Sequence, residues 1–117
     1  MADDWARPVV HWAIQARDPE MIRAFYKELF NWDIGDGPFM QIEAGVGGPE
    51  PGPAGHIQQG DRSAVSLYIQ VRDLRATLDK AAALGGTIAM EPMDVPGGPT
   101  IAFIDDPESN QVGLVQQ

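Results

Sequence analysis

The chain has 117 residues, 44% of them hydrophobic, so it can supply the core of one compact domain. Its 17 acidic residues against eight Lys and Arg give a formal charge of −9, which repels nucleic acid and anionic membrane surfaces and excludes them as expected partners. The absence of cysteine excludes disulfides, thiolate catalysis and cysteine-ligated zinc. No apolar run approaches the roughly 18 residues of a membrane span, and the N-terminus lacks a signal-peptide pattern, so we expect a cytoplasmic protein.

The first predicted elements are a strand and a capped helix. Val9–Gln15 is predicted as the strand. Asp18 can cap the following helix and Pro19 suits its first position, while Asn31 tolerates the left-handed conformation that ends it. Apolar residues with helical spacing then form a stripe that we expect to pack on a sheet: Ile22, Phe25, Tyr26, Leu29 and Phe30.

Two short strands and a loop follow this helix. The strands are predicted at Trp32–Ile34 and Phe39–Ala44, on either side of a glycine-rich turn. Residues 45–55 hold eight Gly or Pro in eleven positions, which predicts a loop. The loop is not a phosphate cradle, because its glycine spacing misses the dinucleotide pattern, it contains no lysine and no helix follows it.

The second half of the chain repeats this plan at a constant offset. Ile14–Asp18 (IQARD) returns as Ile69–Asp73 (IQVRD), 55 residues later. A strand is predicted at Ala64–Val71, and a helix capped by Asp73 ends at Leu84. Three more strands are predicted at Thr87–Met90, Thr100–Ile104 and Gln111–Gln116. We therefore predict a single α+β domain of two tandem βαβββ modules, at residues 8–59 and 63–117, with its site where the two copies face each other.

Several segments in both halves of the chain carry a resemblance to a known family. In the first half they are Val10–Ile14 (VHWAI) with Asp18–Pro19 after it, Phe25–Tyr26 and Leu29–Trp32; in the second half they are Tyr68–Asp73 (YIQVRD), Leu84–Gly86 (LGG) and Asp106–Leu114 (DPESNQVGL). In this order and spacing the chain resembles the vicinal oxygen chelate superfamily, which includes glyoxalase I, bleomycin-resistance proteins and extradiol dioxygenases. The resemblance implies a rolled mixed sheet with a cleft, helices on the outside, and a homodimer.

The resemblance also implies where a metal would bind. In metal-using members the ligands come from the first and fourth strands of each module. Those positions hold His11, Ser66 and Gly113, and either Gln58 or His56, depending on whether the loop adds a gap. Glycine offers no side chain, and serine and glutamine are poor ligands for a first-row metal ion. We therefore expect no metal and no other cofactor.

Strand alternation predicts which side chains reach the cleft. If His11 points inward, Ala13 does too, while Trp12 faces the helix layer. In the second module, Ser66 and Tyr68 face the cleft. The candidate ligand-binding residues are His11, Ala13, His56, Gln58, Ser66, Tyr68, Met90 and Phe103.

Several of these residues have more than one interpretation. His11 can act as a general base because imidazole titrates near neutrality, although the sequence shows no partner for it. His56 flanks the Gly/Pro loop, which favours a solvated loop-edge histidine. Phe39, Met90 and Phe103 suit an adaptable apolar pocket, but they suit a core or a subunit interface as well, and we favour core or interface for most of them.

The expected function is binding or transformation of a small organic metabolite or drug in the cleft, without a metal. Sequestration is one version, and isomerisation, epimerisation or lyase chemistry with His11 as the base is another, so the sequence leaves open whether the protein is an enzyme. The alternatives are a metal-dependent lyase or dioxygenase of the same superfamily, and a non-catalytic structural or regulatory module.

Overall fold

The computed structural model describes residues 6–43 and 52–117, and within them it contains seven strands and two helices. In chain order these are β1 (Val9–Ala16), α1 (Pro19–Phe30), β2 (Phe39–Ile42), β3 (Gly55–Gln59), β4 (Ala64–Val71), α2 (Leu74–Ala83), β5 (Thr87–Asp94), β6 (Thr100–Asp105) and β7 (Gln111–Gln116). The predicted α+β class is confirmed. Neither of the helices in this part of the chain is long and apolar enough to cross a membrane.

The chain divides into two compact units. The first unit is His11–Ser66, and the second unit is Leu67–Gln117 together with the described residues up to Val10. In the second unit, the backbone N–H of Gln70 donates to the carbonyl of Pro8 at 3.0 Å, which ties the N-terminal segment to β4.

In the first unit the strand order is β2-β3-β1. β1 and β3 are parallel, and β2 is antiparallel to β3. The side of this sheet that faces α1 forms the core, as alternation along β1 predicts for Trp12 and Ile14. The buried core residues are Ile34, Met40, Ile42 and Ile57, with Trp12, Ile14, Ile22, Tyr26 and Trp32 packed against them.

Both predicted ends of α1 are confirmed. The side chain of Asp18 accepts a hydrogen bond from the backbone N–H of Met21 at 3.2 Å, Pro19 occupies the first turn, and Asn31 ends the helix with φ 59°. These residues act through local backbone geometry, which explains why the sequence predicts the helix bounds so closely.

The predicted apolar stripe of α1 is only partly packed. Ile22 and Tyr26 contact the core, whereas Phe25, Leu29 and Phe30 are exposed. The rings of Tyr26 and Phe30 lie against Trp32, with centroids 5.3 and 5.2 Å apart, so Trp32 also contacts the C-terminal half of the helix.

The predicted strand Trp32–Ile34 is reduced to one bridge, between Ile34 and Ile42. Trp32 packs among the aromatic residues of α1, and the backbone joins the sheet at the Ile34 bridge, where the N–H of Gly35 donates to the carbonyl of Gln41 at 3.0 Å. β2 ends at Ile42. The last residue of the predicted strand, Ala44, and residues 45–51 of the predicted loop lie outside the described residues.

In the second unit the strand order is β4-β7-β6-β5. β4 and β7 are parallel, and the other neighbours are antiparallel. α2 begins after Asp73, whose side chain accepts from the backbone N–H of Ala76 at 3.0 Å. Its last helical residue is Ala83, one residue before the predicted end, and Leu84 is the C-terminal cap. The core consists of Val71, Leu74, Leu78, Ala102 and Leu114, with Ile69, Ile88 and Ile104 packed against it.

β5 is longer than predicted. It continues past Met90 to Asp94, through Pro92 and two shifts of register against β6. Proline is tolerated here because β5 is the last strand in the order of this unit, and irregular edge strands accept a residue that lacks a backbone N–H.

Candidate functional site

The only two histidines of the chain meet in the first unit. Nε2 of His11, on β1, and Nδ1 of His56, on β3, are 2.8 Å apart and share one hydrogen bond. The rings are stacked, with centroids 5.0 Å apart. Nε2 of His56 in turn lies 2.7 Å from Oε1 of Gln58. Three of the candidate residues therefore form one continuous chain of hydrogen bonds.

The alternation of β3 places these polar groups on one face. Ile57 is fully buried in the core, so its neighbours His56 and Gln58 point to the opposite side of the strand. On β1, Ala13 lies directly opposite His56 in the parallel register. Because its side chain is a single methyl group, Ala13 leaves space for the larger imidazole beside it.

His56 is buried, and the expectation of a solvated loop-edge histidine is wrong. The residue is 7% exposed. β3 begins at Gly55, so His56 is the second residue of a strand paired on both sides, with β1 and with β2. Regular pairing begins directly at the edge of the Gly/Pro segment, and composition alone does not reveal that.

His11 has the partner that the sequence did not reveal. It is half-buried on β1. Burial, and secondarily the nearby His56, lower the pKa of His11 below its ordinary value of 6.5. A neutral imidazole is the form that accepts a proton, so the environment of His11 favours the protonation state that a general base requires near neutral pH.

Phe39 is a neighbour of the histidine pair. The sequence favours a core or an interface for this residue. Its ring meets His56 edge-on, with centroids 5.8 Å apart, and the residue is 58% exposed. The signal was the alternation of β2, in which Met40 and Ile42 are buried while Phe39 and Gln41 are exposed. An exposed aromatic ring therefore leaves an apolar surface beside the His56 imidazole.

Three other candidates come together in the second unit. Tyr68 on β4 is 8% exposed, and its ring meets Phe103 of β6 at 5.5 Å in a T-shaped arrangement. Met90 of β5 lies opposite Phe103 in the strand register. Burial raises the pKa of Tyr68 above 10.0, so its hydroxyl stays protonated at neutral pH.

Strand register decides which residue of the first unit corresponds to Gly113. Ala13 and Tyr68 are 55 residues apart and occupy equivalent positions of β1 and β4. Their partners on the neighbouring parallel strands are His56 and Gly113. The offset between these partners is 113 − 56 = 57. Gly113 therefore corresponds to His56 and not to Gln58, and the loop does add a gap.

The residues present do not fit the metal site that the resemblance implies. A shared metal ion would also hold two imidazole nitrogens about 3 Å apart, so the test of fit is the donor set and not the distance within the histidine pair. Residues 6–43 and 52–117 contain no group of three or more His, Asp or Glu that could hold a metal. Ser66 is half-buried on β4, and its hydroxyl is a poor ligand for a first-row metal ion.

The Gly113 position, where the resemblance implies a ligand, is also blocked. A Cβ atom on Gly113 would lie 2.5 Å from Cδ2 of Tyr68, so the tyrosine ring occupies the space that a side chain there would need. A side chain at position 113 and the observed placement of the tyrosine ring therefore exclude each other.

Comparison with known proteins agrees with this architecture. CFP32 of Mycobacterium bovis, whose name describes it provisionally as a glyoxylase, is 31% identical to this chain over 114 residues. The match covers 88% of this chain and 43% of CFP32. The chain thus spans less than half the length of this curated relative.

Two solved structures share the fold. The hypothetical protein BH1468 of Bacillus halodurans matches with a TM-score of 0.68 at 13% identity, covering 97% of this chain and 96% of that one. Methylmalonyl-CoA epimerase of Mycobacterium tuberculosis matches with a TM-score of 0.62 at 14% identity, covering 92% of this chain and 86% of that one. The family model of the Glyoxalase/Bleomycin resistance protein/Dioxygenase superfamily matches residues 9–114, and the chain belongs to this superfamily.

Proposed function

We propose that this protein binds a small, partly apolar organic molecule beside the histidine pair and uses His11 as a general base, without a metal. The observation that carries the proposal is the 2.8 Å hydrogen bond between Nε2 of His11 and Nδ1 of His56. It gives His11 a buried, fixed partner, and a positioned imidazole is the group that most often moves protons in enzymes.

The chemistry follows from the protonation state of His11. Its lowered pKa favours the neutral ring. In the proposed reaction this ring takes a proton from a carbon next to a carbonyl group; the electron pair of the C–H bond forms a C=C bond, and the π pair of the carbonyl moves to its oxygen, which gives an enolate. Delivery of the proton to the opposite face of that carbon completes an epimerisation, delivery to a different atom of the enolate system completes an isomerisation, and either step regenerates the neutral imidazole.

The class of ligand is argued from charge and from the surroundings of the pair. The exposed ring of Phe39 beside His56 supports contact with an apolar group. The formal charge of −9 opposes the approach of a highly anionic molecule. Although one relative of the same fold is named for epimerisation of a CoA thioester, we propose a neutral or singly charged carbonyl compound for this chain.

Deuterium exchange tests the proposal. The protein is incubated in D2O with a panel of small 2-oxo acids, aldehydes, ketones and one acyl-CoA thioester, and NMR follows exchange at the carbon next to the carbonyl. We expect His11→Gln to slow exchange by about 10²- to 10⁴-fold, the usual contribution of a general base. The control is Gln59→Met, at an exposed position of β3, the strand that carries His56. Equal exchange by wild type and His11→Gln would overturn the proposal.

The other outcomes identify the alternatives. Exchange that a chelator abolishes and added metal restores indicates a metal-dependent lyase or dioxygenase. Quenching of tryptophan or tyrosine fluorescence by a compound that shows no exchange indicates sequestration. No exchange and no quenching across the panel indicates a structural or regulatory module. The homodimer and the cytoplasmic location stay predictions, and sedimentation equilibrium measures the first of them.

A further inference from the structure

We infer that Gln58 and His56 fix which nitrogen of His11 accepts the proton, and that this atom is Nδ1. For the role of His11 the inference rests on the proposed function. For the assignment of the atom it rests only on the two hydrogen bonds of the pair. Gln58 and His56 are positioning residues in this arrangement, because they act through His11.

The first step concerns Gln58. Its Oε1 atom is a carbonyl oxygen, which accepts hydrogen bonds and donates none. Since Oε1 lies 2.7 Å from Nε2 of His56, the proton in this bond belongs to His56. A neutral imidazole carries one proton, so Nδ1 of His56 holds a lone pair and is an acceptor.

The second step concerns His11. Its Nε2 atom lies 2.8 Å from this acceptor, so Nε2 of His11 is the donor of the second bond. The lone pair of the neutral His11 ring is therefore on Nδ1. The amide oxygen of Gln58, which ends this series of hydrogen bonds, thus fixes both rings as Nε2–H tautomers.

The arrangement also distributes the charge that proton uptake creates. A proton that arrives on Nδ1 of His11 leaves both hydrogen bonds in place. The proton between the two rings can then shift toward Nδ1 of His56 along the existing bond, so that both imidazoles share the positive charge. This sharing needs the donor order set by Gln58.

The opposite donor order makes a distinct prediction. With the amide nitrogen of Gln58 directed at His56, every donor and acceptor in the chain reverses, and both rings become Nδ1–H tautomers. Nδ1 of His11 would then carry a proton and could not accept one. The two cases differ at four ring nitrogens, all of which can be observed.

Nitrogen NMR of the ligand-free protein tests the inference. The chain contains two histidines, so a long-range ¹H–¹⁵N spectrum shows two ring systems, and His11→Gln assigns them. Above the titration range we expect Nε2 protonated and Nδ1 unprotonated in both rings. Gln58→Glu retains an acceptor oxygen and should keep this pattern. Gln58→Met removes the acceptor and should shift the His56 nitrogens toward a mixture of tautomers, whereas Gln59→Met should leave them unchanged.

Two results would overturn the inference: Nδ1–H rings in the wild type, or a Gln58→Met spectrum identical to that of Gln59→Met. Circular dichroism checks that each variant folds, and Gln58→Glu keeps the test valid if Gln58→Met does not. The expected tautomers without any exchange activity would contradict the proposed function alone. Activity that depends on His11 together with reversed tautomers would contradict the assignment alone.

Discussion

The two units place reciprocal pairs of side chains at equivalent positions. In the first unit the pair is Ala13 opposite His56, with the small residue on the first strand and the large one on the last. In the second unit it is Tyr68 opposite Gly113, with the sizes exchanged. The backbone plan is repeated, but only the first unit places two imidazoles within hydrogen-bond distance. Duplication thus preserves the strand pairing, while the chemistry depends on which strand carries the large side chain.

The glycine that lies opposite an aromatic residue is shifted by one position between the two units. In the first unit Gly55 lies opposite Trp12, whose indole packs on the core side. In the second unit the glycine is Gly113, one position further along the equivalent strand, and the ring over it is that of Tyr68. Because neighbouring residues of a strand face opposite sides, the two aromatic rings lie on opposite faces of their sheets.

The largest expected effect on stability comes from adding a methyl group under these rings. In Gly55→Ala the new Cβ would lie 2.4 Å from the indole of Trp12, and in Gly113→Ala it would lie 2.5 Å from the ring of Tyr68. Since overpacking of this kind typically costs about 1–3 kcal/mol, we expect both variants to lose that much unfolding free energy in urea titrations.

Gly52→Ala is the matched control, because nothing lies within 4 Å of its Cβ position. Its stability should stay close to that of the wild type. If Gly55→Ala and Gly113→Ala are also as stable as the wild type, the result would contradict the close approach of the Trp12 and Tyr68 rings to these glycines.

The helix caps should behave alike in the two units. The side chains of Asp18 and Asp73 each accept a backbone hydrogen bond in the first turn of their helices, at 3.2 and 3.0 Å. We expect Asp18→Ala and Asp73→Ala each to lower the unfolding free energy by about 0.5–2 kcal/mol. Asp18→Asn and Asp73→Asn keep a capping oxygen and should lose far less. Equal losses for Ala and Asn at either site would show that charge, not capping, is responsible.

His11, in the first unit, should add a pH-dependent component to the unfolding free energy of the protein. Its folded pKa is lowered from 6.5, so the unfolded chain binds more protons than the folded one between that value and the folded pKa. We therefore expect the unfolding free energy to fall as pH drops below 6.5 and to level off below the folded pKa. Urea titrations across this range measure it. His11→Gln should remove this component. If the unfolding free energy of that variant depends on pH as strongly as in the wild type, His11 is not its source.

The smallest effect is expected at the turn before β7. Hydrogen bonds from Asn110 lower the pKa of Asp106 below 3.8. The charged carboxylate therefore stabilises the fold above that value, and the contribution is lost as pH falls through the folded pKa. Asn110→Ala removes the side-chain bond and keeps the backbone one, so the pKa of Asp106 should rise partway. Carbon NMR of the carboxyl group measures this, and an unchanged titration would exclude the contact.

Sequence reasoning predicts most of the fold because the relevant signals are local. Asp18, Asp73 and Asn31 define helix ends through bonds to their own neighbours. The exposed part of the α1 stripe was not predictable in this way. Helical periodicity shows that Phe25 and Leu29 share an apolar side, but it does not show how much surface the opposing sheet and Trp32 offer.

The site was less predictable because it depends on register between distant strands. Alternation along β1 identified His11 and Ala13 correctly as neighbours on one face. The contact with His56 depends on how β3 pairs with β1 across the Gly/Pro segment, and the length of that segment alone left both His56 and Gln58 open. Phe39 was missed for the same reason, since β2 meets His56 only through the register of β3.

Elemental analysis of protein purified without chelator tests most directly whether the histidine pair works without a metal. We predict far less than one Ni, Zn, Fe or Mn ion per chain, in wild type and His11→Ala alike, because no third His, Asp or Glu of the described residues is grouped with the two imidazoles. A near-stoichiometric metal content in the wild type that His11→Ala abolishes would contradict this prediction.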